Sequence, residues 1–485
     1  MLQPGDIQSG ESARWPVKRA IGLVIAFYAA ALPLILAGVN RDRAAYDAVV
    51  FHYEAIVLFA AELPTPDLSD YASATTPLYH LALSVVARLV STDPMLLRLT
   101  GSLFTAALLA TLVTACCRRS RGWTGLSRCL PFACSSYVFG AGVWTLPDNA
   151  AWLGVLLLLL IGLRPKVTWR IIGAGAVVLV MLVMTRQVHL WAASVLWAAV
   201  WMGSLGTEDS RNLFGHIGRR LPRTLMAVLA TLPAFVVVAL FYLSWGGLVP
   251  PRFQGMYSGW SPATPAFLLM LVAAFGTFFL ADIAPRMVLA WKRYRTVLVA
   301  SVGLGLVLAL APETSYSTEF GRFSGIWNLS RRFDVGRTSL LIVALAPVGA
   351  AYFTSIVVTV RFRERWVALA AISGFIAAQM ASPMLWQRYN DPFVLMLLAM
   401  LLSRSIDLPE PPTGAARARV VPARGVLAVL HKARGVGPTV LAVLLAVVTF
   451  LKISGGAEVR PAGEERAVER GDTAEHDRAP IEGFV

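Results

Sequence analysis

Apolar stretches of about 20 residues recur along this chain, and they decide what it can fold into. A helix needs roughly 20 apolar residues to cross the hydrocarbon core of a bilayer. Backbone polar groups find no water there, and a helix satisfies them internally. Of the 485 residues, 57% are hydrophobic and 15% charged, against about 25% charged in a soluble domain. The expected fold is all-α, a polytopic membrane protein.

The net charge of +15 does not point to nucleic acid, because there is no separate basic domain and no nucleic-acid motif. Its Arg residues sit in short loops between apolar segments, as cytoplasmic loops require. Ile21 to Val39 follows Arg14, Lys18 and Arg19 and reads as an uncleaved signal anchor. That places residues 40–97 outside, as a first outer loop.

Later spans are expected near 98–116, 127–145, 149–163, 170–185, 188–204, 224–243, 264–283, 296–312, 338–358, 366–381 and 391–403. The loops then placed inside (RRSRGW, RPKVTWR, RNLFGHIGRRLPR, RMVLAWKRYR and RFRER) are all basic. Pro77 to Val90 is apolar but short and starts at a proline. If it crossed, those Arg-rich loops would fall outside, so it is expected as a juxtamembrane or re-entrant helix. A last segment at 437–452 brings the count to about 13. The expected organisation is a transmembrane domain over 1–403, a basic cytoplasmic linker at 404–436, the last helix, and a disordered tail at 453–485.

Cys116, Cys117, Cys129 and Cys134 lie in or beside one span and its loop and lack zinc-ligand spacing with histidines; two are near the expected cytoplasmic face. They read as small buried hydrophobes.

The first outer loop is where chemistry is expected. It gathers Asp42, Asp47, Glu54, Glu62, Asp67 and Asp70 beside Tyr46, His52, Tyr53 and Tyr71. Tyr46 to Ala60 has helical periodicity, and Asp47 and Glu54, seven apart, share a side. A partly desolvated carboxylate at a membrane boundary can serve as a general base. Asp47 fits that role; it also fits a solvated acid on a juxtamembrane helix. His52 reads either as a second catalytic group or as an imidazole hydrogen-bonded in place.

Thr75-Thr76-Pro77 reads as a helix start, with a hydroxyl as cap and Pro in the first turn. The same turn can bring Tyr79 or His80 to a bound substrate. Tyr46, Glu54, Thr75, Thr76, Tyr79 and His80 are therefore the loop's candidate substrate contacts.

Other polar groups fall at the same face. Asp148 sits in a Pro147-Asp148-Asn149 hairpin between spans. Arg186-Gln187 is an expensive placement between two spans, met by an outer turn or by a phosphate. Arg388-Tyr389 ends a loop before a late span, as a phosphate ligand or a snorkelling anchor. Residues 313–337 carry Arg322, Arg331, Arg332 and Arg337 against the charge rule. Either they bind an anion or they pair with Glu313, Glu319 and Asp334.

In their order, these pieces resemble the dolichyl-phosphate-glucose-dependent α-1,2-glucosyltransferases, which add the last glucose to the lipid-linked oligosaccharide. The matching pieces are Phe51-His52, Thr75-Thr76-Pro77, Pro147-Asp148-Asn149, Arg186-Gln187-Val188-His189-Leu190-Trp191 and Arg388-Tyr389. They span about residues 40 to 400. The family has an acidic pair three and four residues before its His; here Ala48 and Val49 hold those places, and Asp47 is five before. Val188-His189 replaces the family's Thr-Asn. The Ala- and Arg-rich composition looks bacterial.

The resemblance implies a GT-C-like fold in a bacterial plasma membrane, with the active site on the outer face. It implies an inverting transfer of a hexose, glucose among them, from a polyprenyl-phosphate sugar to a hydroxyl of a lipid-linked or cell-envelope glycan. Asp47 and His52 would be catalytic. Arg186, Arg388, and Arg331 or Arg332 would hold the phosphate, with no cofactor and no metal. Gln187 and Tyr389 would join the substrate contacts. A mannosyl-, arabinosyl- or aminosugar transferase is the near alternative. A transporter or lipid flippase is the distant one; it favours repeated halves and mid-membrane polar groups, and the chain shows no internal repeat.

Overall fold

The computed structural model describes residues 6–120, 123–203, 212–404 and 433–456. They form a helical bundle. The helices are α1 (Asp6–Leu36), α2 (Arg43–Glu62), α3 (Leu78–Leu89), α4 (Pro94–Cys117), α5 (Ser136–Val143), α6 (Asp148–Gly162), α7 (Trp169–Thr185) and α8 (Ala193–Gly203). They continue as α9 (Ile217–Trp245), α10 (Thr264–Gly276), α11 (Leu280–Leu310), α12 (Leu340–Val357), α13 (Phe362–Met380), α14 (Gln387–Arg404) and α15 (Val436–Gly455). A two-residue antiparallel ribbon, β1 (Asp334–Val335) with β2 (Thr338–Ser339), sits in the loop before α12.

Large apolar side chains point outward from several helices: Ile21 and Ile25 on α1, Leu229, Leu240 and Leu243 on α9, Val307 on α11 and Phe450 on α15. Apolar faces of that extent are unfavourable in water and natural against lipid. The chain is an all-α, polytopic membrane protein.

Seven helical segments among the described residues are long and apolar enough to cross a membrane, and eight if the bent α5–α6 pair is one span. That is fewer than the 13 expected. Segment 127–145 does not form one helix. Extended backbone at Ser135 and again at Trp144 cuts it, and α6 leaves α5 at 119°. The stretch at 188–204 starts as a 3-10 turn (Gln187–Ala192) and leaves only 11 residues for α8. α2, expected in the outer loop, passes the same test of length and composition. The linker at 404–436 and the tail at 453–485 lie outside the described residues except at their ends.

Close packing of α10, α11 and α12 forms one side of the bundle. A Cβ on Gly349 of α12 would stand 1.8 Å from the Leu269 carbonyl oxygen of α10. Only glycine allows that backbone approach, the usual device for packing helices in lipid. α1 lies along α4, and α15 packs on the short helix Leu130–Cys134.

In the first turn of α11, Asp282 is fully buried and takes Arg128 bidentately, at 2.6 and 3.0 Å. Arg434, just before α15, and Arg286 reach the same carboxylate at 3.5 and 3.9 Å. Segments distant in sequence are thus tied by one acid.

Candidate functional site

Between α2, α8, α9 and α13 lies a cavity of about 870 Å³. One end is charged. It contains Asp47, Asp148, Arg186 and Arg388, from four separate parts of the chain. Arg388 Nη1 donates to Asp47 Oδ2, and its Nη2 lies 3.7 Å from Asp148 Oδ2. Arg186 Nη1 donates to Asp148 Oδ1 at 2.5 Å. All four side chains keep 10–16% of their surface exposed, so the cluster is buried yet open to the cavity.

Aromatic rings floor this cluster. The Tyr389 ring lies 4.6 Å from the Arg186 guanidinium and 5.1 Å from that of Arg388. Trp386 stacks parallel to Tyr389 at 5.9 Å. Arg43 covers the rim, 5.5 Å from Trp386 and 5.0 Å from Phe323. Its three guanidinium groups and two carboxylates give the lining a formal charge of +1, with His52 counted as neutral.

The other end is apolar. Trp191, Trp197, Phe235, Val238, Ala377 and Ala378 line a trunk between α8, α9 and α13. Trp197 and Phe235 stack across it at 5.9 Å. Phe253, Met256 and Tyr257, from the loop after α9, cover the side.

α2 explains how Asp47 and His52 reach one wall. Five residues apart on a regular α-helix, they would diverge by about 140°. Residues Ala48–Tyr53, however, form a π-helical turn with i→i+5 bonding. That wider turn brings both side chains to the cavity.

The structure sorts the remaining candidates. Tyr46, Thr75, Gln187 and Tyr389 line the cavity. Gln187 is also a strut. Its Nε2 donates to the carbonyls of Ala74 and Leu248 at 3.0 and 2.7 Å, and its Oε1 accepts from the Thr76 N–H at 3.2 Å. Thr76 lies behind the wall and donates to the Val183 carbonyl. The expected hydroxyl cap of α3 is not formed: Pro77 holds the N-cap position and Thr75 Oγ1 pairs with Ser73 Oγ instead.

Tyr79 and His80 do not reach the cavity. Both are buried behind it, and the His80 ring is boxed by Phe59, Tyr71 and Tyr79. Burial lowers the His80 imidazole to about 3. Glu54 faces away from the site and is exposed.

Arg331 and Arg332 are not in the lining either. They are exposed, with Arg331 4.8 Å from the Tyr316 ring. In the same loop Arg322 and Arg337 both pair with Glu313, at 3.3 and 2.8 Å. The Arg337 hydrogen bond, opposed by burial and aided by Arg322, holds Glu313 below the usual carboxylate range. Two of the four arginines that ran against the charge rule therefore sit in internal ion pairs.

Sequence reasoning missed Arg43, Trp386, Tyr257 and the trunk. Trp386 directly precedes Gln387-Arg388-Tyr389, so that motif could have been extended by one residue. Apart from Trp191, which ends the Arg186 motif, the trunk left no signal, because apolar residues are everywhere in this chain. Among the described residues no three His, Cys, Asp or Glu side chains converge as a metal-binding set.

Fold and site together define a multi-pass helical membrane protein with an amphipathic cavity, charged at one end and apolar along the rest. No family model, curated protein or solved structure matches the chain.

Proposed function

We propose that the protein is a GT-C-like glycosyltransferase that moves a hexose from a polyprenyl-phosphate sugar to an acceptor hydroxyl. The carrying observation is the cavity itself: paired guanidiniums at its head and an apolar trunk leading away. A polyprenyl-phosphate sugar has the complementary shape, and as a phosphodiester it bears one negative charge against the lining's +1.

In this reading Arg186 and Arg388 bind the phosphate, and the trunk takes the first part of the lipid. The ring faces of Tyr389 and Trp386 hold the guanidiniums in place. Arg388 shifts from Asp47 toward the phosphate as donor binds. That leaves the Asp47 carboxylate as base for the acceptor hydroxyl. The hydroxyl oxygen bonds to the anomeric carbon as the bond to the phosphate oxygen breaks. The proton goes to Asp47, and polyprenyl monophosphate leaves with its growing charge met by both arginines. Attack opposite the phosphate inverts the anomeric carbon.

The reading takes the shorter helices α7, α8, α13 and α14 as membrane-embedded too, which approaches the GT-C-like count of about 13. It places the reaction on the outer face of a bacterial plasma membrane, with a lipid-linked or cell-envelope glycan as acceptor. Mannose, arabinose or an aminosugar can replace glucose without altering the charged head.

The test is to incubate purified protein with a panel of radiolabelled polyprenyl-phosphate sugars and an envelope-lipid acceptor fraction. Consumption of one donor with release of polyprenyl phosphate supports the reading. Movement of intact donor across a vesicle bilayer, with no sugar transferred, would replace it by a lipid flippase.

A further inference from the structure

His52 lines the cavity, but its chemistry is set from behind. Its Nδ1 lies 2.8 Å from His80 Nε2 and 3.4 Å from Ser73 Oγ. The two rings are nearly parallel, 5.1 Å apart. No protein partner is found for His52 Nε2 among the described residues, and this is the ring nitrogen left to face the cavity.

One proton must sit between the two rings, and two arrangements are possible. If His52 Nδ1 carries it, neutral His80 has its own proton on Nδ1. That nitrogen is buried with no partner, so an N–H would be orphaned. If His80 Nε2 carries the proton, only a lone pair is left there. Buried orphaned N–H groups are the rarer and costlier defect. The second arrangement also makes His52 Nδ1 an acceptor, which lets the Ser73 hydroxyl donate to it as well. A neutral imidazole that accepts at Nδ1 carries its proton at Nε2.

We infer that His80 is a positioning residue that locks His52 as an Nε2–H donor, a third ligand for the anion held by Arg186 and Arg388. His52, Arg186 and Arg388 line the same cavity, so the three groups face one volume. His52 is then a hydrogen-bond donor to a phosphate oxygen and takes no proton from the acceptor. The anion identity rests on the donor reading above; the protonation pattern of the two rings does not.

The test is nitrogen NMR on protein labelled with 15N-histidine, with His52 assigned by loss of its signals in His52→Gln. Resonances of wild type at pH 7.5 should show His52 protonated at Nε2. A His52 protonated at Nδ1, or an even mixture, overturns the inference. His80→Gln keeps a donor and should keep the tautomer; His80→Phe should release it into a mixture. Should His80→Phe fail to fold, the wild-type and His80→Gln spectra still decide. Farnesyl phosphate is the binding probe. It should move the His52 Nε2–H resonance and bind about tenfold more weakly to His80→Phe. If the probe does not bind wild type while the tautomer is as stated, the lipid-phosphate reading fails and the histidine lock stands.

Discussion

Arg388 and Asp47, 341 positions apart in the chain, form one ion pair at the head of the cavity. Arg388 also leans on Asp148, which Arg186 holds. Four residues from four places thus form a single charge network with two acids and two bases. Removing one member leaves a partner buried and unpaired, a loss that typically costs about 3–5 kcal/mol.

Arg388→Ala should therefore lower stability by about that amount and weaken binding of a lipid phosphate. Arg388→Ala with Asp47→Ala should regain much of the stability, because the stranded carboxylate is gone, and none of the binding. Thermal unfolding in detergent and probe titration of these two variants and of Asp47→Ala form the cycle. Additive stability losses would show that the pair is not coupled.

Asp282 should be the most sensitive acid away from the cavity. Arg128, Arg286 and Arg434 all face it, and it is fully buried. Asp282→Ala should cost about 3–5 kcal/mol and should loosen α15, seen as faster amide exchange over Val436–Gly455. Unchanged unfolding temperature and exchange would remove it as a clasp.

Gly321 should not tolerate a side chain. Its φ is +67°, and a Cβ would stand 1.9 Å from Trp386 Cδ1. Gly321→Ala should push Trp386 off Tyr389 and cost about 1–3 kcal/mol, with a change in tryptophan fluorescence. Wild-type fluorescence and stability would show that the loop yields instead.

Acid should weaken the fold through His80. Its imidazole is held at about 3, below the ordinary 6.5, so the unfolded chain takes up a proton first. Stability from this group is full above about pH 6.5 and is lost toward pH 3, by about 1.4 kcal/mol per unit. His80→Phe should flatten the fall in unfolding temperature between pH 6.5 and 5. An identical fall in wild type and variant would assign the acid sensitivity elsewhere.

The helical class and most of the charged head were legible in the sequence, because ionisable residues are rare and costly in an apolar chain. Asp47, Asp148, Arg186 and Arg388 stood out for that reason. What was not legible depends on backbone detail. Asp47 stands five residues before His52, out of register for a regular helix, and only the π-helical turn puts both on one wall. Arg331 and Arg332 carried the same charge signal as Arg388, yet lie on an exposed loop. The Thr75-Thr76 hydroxyls had the pattern of a cap, but Ser73 and the Val183 carbonyl compete for them. The trunk could not be read, since its residues are of the same kinds as those facing lipid.

Turnover by Asp47→Asn is the most direct measurement of the central claim. Purified wild type and variant are given the radiolabelled donor that wild type consumes, with circular dichroism and unfolding temperature as controls. The account predicts a folded variant that still binds farnesyl phosphate and transfers sugar at least about 100-fold more slowly. A folded Asp47→Asn protein with wild-type turnover would contradict it.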